Sequence, residues 1–110
     1  MKIFFEHKIE KKLSDQVSIK RYYGKLADKI VIRLSIPQGA ECLDDIPNIP
    51  PTRRHKLSGN YSNCWAIDVD KSWRIILKSP DANLEDPKDI REVIIVDDHK
   101  IKNLCKCRGF

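Results

Sequence analysis

A two-residue alternation between Trp65 and Lys78 constrains this chain more than any other feature. Trp65, Ile67 and Val69 alternate with Ala66 and Asp68, and Trp73, Ile75 and Leu77 alternate with Arg74, Ile76 and Lys78. Period two is a strand pattern, because successive side chains of a strand point to opposite faces of its sheet. Only Asp70-Lys71-Ser72 separates the two runs, so they read as a tight β-hairpin. One face is then apolar and core-facing, and Arg74 and Lys78 share the other. Ahead of the hairpin stand a basic lead-in, Arg53-Arg54-His55-Lys56, and a strand end and turn at Leu57-Ser58-Gly59-Asn60. A further strand signal, Ile90 to Asp97, runs directly into Asp98, His99 and Lys100. Pairing of that strand with the hairpin brings a histidine near an arginine on a small sheet.

The chain of 110 residues allows one domain, 1–110, with a modest core. No apolar run approaches the roughly 20 residues that cross a bilayer. The opening MKIFFEHKIEKK turns charged too early for a signal peptide, so the expectation is a soluble, cytoplasmic protein. Cys42, Cys64, Cys105 and Cys107 do not make a disulfide framework and are expected as reduced thiols. Zinc ligation by Cys105, Cys107 and His99 lacks four ligands at ordinary spacings, so no metal and no cofactor are expected. The net charge of +5 is unevenly placed, with four Lys/Arg and no acid in the tail 100–110. Such runs form either a solvated surface or a face that binds polyanions.

In chain order, Met1 to Phe5 suits an edge strand and His7 to Leu13 a short helix, with Ser14 or Asp15 capping the next. Ile19, Tyr23, Leu26, Ala27, Ile30, Val31 and Leu34 recur at three- and four-residue intervals, which predicts one amphipathic helix of about five turns. Pro37 and Gly39 end it, and Ala40 to Ile46 suit a further helical turn before the connector Pro47-Asn48-Ile49-Pro50-Pro51. Ser79 to Asp89 is a polar loop. Helices followed by strands predict an α+β fold, with N-terminal helices packed on a small antiparallel sheet of three to five strands.

The motif His55-x-Leu57-x-Gly59, then Trp65, then Trp73-Arg74-Ile75, and the strand end Val96-Asp97-Asp98-His99 resemble the HigB/RelE-type toxins of bacterial toxin–antitoxin modules. The Gly-to-Trp and Trp-to-Trp-Arg spacings match the HigB branch without a gap, and the similarity spans roughly residues 15 to 100. The resemblance implies a RelE-like fold and a ribosome-dependent mRNA endonuclease that arrests translation. It also implies three kinds of partner: the ribosome, its mRNA, and a helix-turn-helix antitoxin of the HigA type in an oligomeric complex. The family's sheet-borne arginine falls on Arg74 and its terminal Asp-Tyr-His on Asp97, Asp98 and His99, so Asp98 replaces a tyrosine. Ser58 stands where the family often has a basic residue.

Metal-independent cleavage can use the RNA's own 2′-hydroxyl as nucleophile, leaving the protein to move protons and stabilise charge on the phosphorane. His99 and His55 are the candidates for proton transfer, with Asp97 orienting His99. Asp98 reads either as a second polar partner or as a mark of weakened catalysis. Arg74 and Lys56 are candidates to neutralise phosphate. Arg53, Arg54, Lys78 and Lys100 extend the RNA-binding set, and Tyr61 is a candidate to stack a base. Against this, Arg74 also fits a simple cross-strand pair with a neighbouring carboxylate, and both tryptophans fit the core. The alternative function is a toxin-fold protein that acts by binding alone, as a ParE-like gyrase inhibitor does.

Overall fold

The hairpin forms with the register its alternation requires. The computed structural model describes residues 1–57 and 63–96. Its strands are β1 (Lys2–Phe5), β2 (His55–Lys56), β3 (Cys64–Asp68), β4 (Arg74–Lys78) and β5 (Glu92–Ile95), in the sheet order β1-β5-β4-β3-β2. β3 pairs antiparallel with β4 from Cys64↔Lys78 to Asp68↔Arg74. Asp70 Oδ1 closes the turn by accepting from the backbone N–H groups of Ser72 at 2.8 Å and Trp73 at 2.9 Å. β2 and β5 also pair antiparallel with their neighbours, at His55↔Ala66 and Leu77↔Ile95. β1 departs from the expected antiparallel sheet: it is an edge strand, as anticipated, but it runs parallel to β5 from Lys2↔Glu92 to Phe5↔Ile95. The sheet is therefore mixed.

Three helices cover one face: α1 (His7–Leu13), α2 (Gln16–Tyr23) and α3 (Ala27–Gly39). Asp15 is the cap of α2, its carboxylate accepting from Ser18 N–H at 2.7 Å. That bond to a helix N-terminus pulls the Asp15 carboxyl below its ordinary range. The expected single helix of five turns is divided at Gly24, whose φ of 54° is outside the helical region and open to glycine at little cost. A short 3-10 turn, Gly24–Leu26, follows it. Gln16 and Lys20 of α2 then line a shallow groove with Ala27, Asp28, Val31 and Ile32 of α3, so the two helices lie side by side. Pro37 sits in the last turn of α3, and the helix ends two residues beyond it.

The apolar stripe survives the break. Ile19, Ala27, Ile30 and Leu34 are buried with Ile9 and Leu13 against Trp65, Ile67, Val69, Ile75, Leu77, Val93 and Ile95. The turn expected in 40–46 is a 3-10 segment, Leu43–Asp45, whose Leu43 N–H donates to Ile90 carbonyl at 2.8 Å. Leu43 and Ile46 are both fully buried, so this connector is part of the core. Among the described residues no helix is long and apolar enough to cross a membrane.

Trp65→Ala is expected to cost about 3–5 kcal/mol and Leu43→Ala about 2–5 kcal/mol. Both should lower the urea midpoint without changing the slope of unfolding. Ile32→Ser, at a side chain 55% exposed, should shift stability by less than about 0.5 kcal/mol in the same measurement.

Candidate active site on the outer sheet face

Alternation gives the hairpin a second face, turned away from the helices, that carries Cys64, Ala66 and Asp68 from β3 and Arg74, Ile76 and Lys78 from β4. His55 stands directly opposite Ala66 and joins this face. Part of it is apolar, because Leu57, Cys64, Ala66 and Ile76 form a buried cluster of their own with Val96 packed against it. Burial holds the Cys64 thiol above its ordinary value. At the other end of the face the side chains are charged.

Asp68 is the centre of that charged end. Its Oδ2 accepts from Arg53 Nε at 2.6 Å and its Oδ1 from a second Arg53 nitrogen at 3.3 Å, a two-point clasp. Arg74 Nε lies 3.8 Å from Oδ1, with only 2% of the Arg74 side chain exposed. The cross-strand carboxylate weighed for Arg74 is thus present, and it is shared with Arg53. The backbone carbonyl of Asp68 accepts from Arg33 Nε of α3 at 2.8 Å, tying the helix layer to the same corner. Sequence reasoning assigned no role to Asp68 or Arg33. Asp68 shares a strand face with the core-flanked Arg74, which is a readable signal, whereas a helix arginine among many basic residues gives none.

His55 completes the cluster. Its Nδ1 lies 2.7 Å from the Arg53 carbonyl oxygen. A carbonyl only accepts, so Nδ1 carries the proton and the neutral ring keeps its lone pair on Nε2. Burial, opposed by that hydrogen bond and aided by the charges of Arg53 and Arg74, holds the imidazole below its ordinary value of 6.5. Arg53 has a φ of 48°, a left-handed conformation that costs a residue with a Cβ about 1–2 kcal/mol.

The remaining basic candidates are dispersed. Lys56 is directed to the opposite face, where its Nζ sits 5.5 Å from the Trp65 ring centroid. Arg54 donates to the Ile46 carbonyl at 3.0 Å and lies 3.7 Å from Asp44, bracing the connector. Lys78 shares the outer face but stands four residues from Arg74, about 13 Å along β4. Trp65 and Trp73 belong to the core side. Ser58, Gly59, Tyr61, Asp97, Asp98, His99, Lys100, Cys105 and Cys107 lie outside the described residues. β5 runs antiparallel to β4 and ends beside it, with Val96 N–H donating to Ile76 carbonyl at 3.2 Å. Among the described residues no three His, Cys, Asp or Glu side chains group as metal ligands.

No protein-family profile and no curated protein matches this sequence. Solved structures do. A crystal structure of a histidine-to-glutamine mutant of YafQ from E. coli matches with a TM-score of 0.55 at 15% identity, covering 86% of this chain and 86% of that one. A YoeB/ParE toxin from Agrobacterium tumefaciens matches with a TM-score of 0.54 at 11% identity, covering 88% of this chain and 94% of that one. The α+β architecture, helices on one face of a five-stranded mixed sheet, is the fold that this chain shares with those two structures.

Proposed function

We propose that this chain is the toxin of a toxin–antitoxin pair and that it cleaves mRNA on the ribosome without a metal. The observation that carries the reading is the cluster of His55, Arg53, Asp68 and Arg74 on the sheet face opposite the helices. The fold shared with toxin structures and the motif spacing of the HigB branch support it. Fold alone does not fix function, so the weight rests on the cluster. In this reading the neutral Nε2 of His55 takes the proton of the 2′-hydroxyl as that oxygen attacks the adjacent phosphorus. Arg74, with Arg53 beside it, stabilises the charge on the phosphorane oxygens. The 5′-oxygen of the next nucleotide leaves and needs a proton.

His99 supplies that proton, three residues beyond the point where β5 leaves the chain beside β4. Asp97 orients His99, and Asp98 is a polar neighbour in place of the family's tyrosine. Lys100, Lys78 and Tyr61 contribute to holding RNA. A helix-turn-helix antitoxin of the HigA type is the expected inhibitor, in an oligomeric complex in the cytoplasm.

Primer extension on ribosome-bound mRNA tests the reading. The wild-type protein should create new 5′ ends within codons, and His55→Ala and His99→Ala should each lower the rate by about 10²–10⁴-fold. Arg74→Lys should lower it by about 10²-fold or more. Intact mRNA accompanied by DNA breaks would instead identify a gyrase inhibitor. The pH dependence has a defined sign. His55 acts in its neutral form and titrates below 6.5, so its activity limb should fall only as pH drops below that value. The same depression means that the His55 contribution to stability is complete above 6.5 and is lost as pH falls through the folded value, because the unfolded chain takes up its proton first. Urea midpoints across that range, wild type against His55→Gln, measure the stability effect.

A further inference from the structure

The proton position on His55 depends on a backbone atom, and that atom depends on a side-chain clasp. Arg53 occupies the left-handed region, which a residue bearing a Cβ enters only when its surroundings hold it there. Contacts of its backbone and of its side chain hold it. Its N–H donates to the Ile49 carbonyl at 2.9 Å, and its guanidinium is gripped by both oxygens of Asp68. Asp68 is itself fixed, since its N–H donates to the Thr52 carbonyl at 2.7 Å and its own carbonyl accepts from Arg33. The backbone on both sides of the clasp is therefore anchored. The Arg53 carbonyl is left facing the His55 ring.

We infer that Asp68 is a positioning residue for His55: by clasping the Arg53 guanidinium it holds Arg53 in the left-handed conformation that aims its carbonyl at Nδ1. The neutral ring is thereby fixed in the tautomer with its lone pair at Nε2. A free histidine side chain prefers the other tautomer, with the proton on Nε2, so a base acting through Nε2 requires such a partner on Nδ1. The function of Arg53 follows from the same geometry. Its guanidinium is engaged by Asp68, and its main-chain carbonyl sets the ring. Among the described residues, the charged groups that face His55 are Arg53 from its own segment, Asp68 from β3 and Arg74 from β4.

This inference builds on the nuclease reading, but its test does not need activity. The full-length protein, labelled with 15N, is examined by long-range proton–nitrogen correlation of its imidazoles, with His55→Gln assigning the signal. The wild type above its imidazole pKa should show a protonated Nδ1 and a bare Nε2. Asp68→Asn and Arg53→Ala break the clasp from its two ends, and Arg53→Ala does so at a side chain 37% exposed, where folding is little disturbed. In each folded variant the Nε2-protonated tautomer should become the majority form. Where the nuclease reading holds, kcat of Asp68→Asn should fall about 10-fold or more with KM unchanged. A folded variant that keeps the wild-type tautomer overturns the inference, as does a wild-type ring protonated on Nε2. An absence of RNA cleavage with the tautomer shift intact would sink the nuclease reading and leave the positioning role standing.

Discussion

One carboxylate, Asp68, meets two guanidiniums, and the order of the charged end of the outer sheet face depends on it. Arg53 meets it as a two-point clasp, and Arg74 lies 3.8 Å from it across the hairpin. A buried guanidinium such as Arg74 is costly without a partner. Asp68 lies beside both Arg53 and Arg74 and so helps to hold two guanidiniums in place. The Arg33 bond to the Asp68 carbonyl extends this arrangement into the helix layer, so helix packing and site geometry are linked at one residue.

The period-two pattern made the hairpin, its register and its two faces legible, and the helical stripe identified the core side chains of α2 and α3. The break at Gly24 was not legible from that stripe. Ile19 and Tyr23 lead to Leu26, Ala27 and Ile30 at three- and four-residue steps, so the spacing continues smoothly across a chain reversal. Only the glycine signals the turn, and glycine inside a helix pattern is often tolerated. The parallel pairing of β1 was equally hidden. Apolar content in Met1 to Phe5 identifies a strand, but its direction depends on how the helices return the chain to the sheet.

The candidate site was half legible, for a similar reason. Arg53, Arg54, His55 and Lys56 form a single basic run in the sequence, yet their environments diverge. Strand alternation at β2 sends His55 to the outer face and Lys56 onto Trp65. Arg54 serves the Ile46 carbonyl. Net charge over a short stretch says how many cations there are, and backbone geometry decides which of them meet. Asp68 followed the same logic in reverse, since an acid in a basic stretch reads as a surface residue until its register opposite Arg74 is known.

The apolar strip beside the charged end sets the surroundings of these groups. Leu57, Cys64, Ala66 and Ile76 are buried on the face that also holds His55, Asp68 and Arg74, so the charges act next to a region of low polarizability and little water. Electrostatic interactions there are stronger than on an open surface. The same surroundings disfavour a charged imidazole, which is why desolvation is the first cause of the lowered His55 value, ahead of either arginine. Alternation along β3 and β4 therefore serves two ends. It supplies one face to the helices as core, and it lines the other with enough apolar surface to keep a histidine neutral beside two arginines.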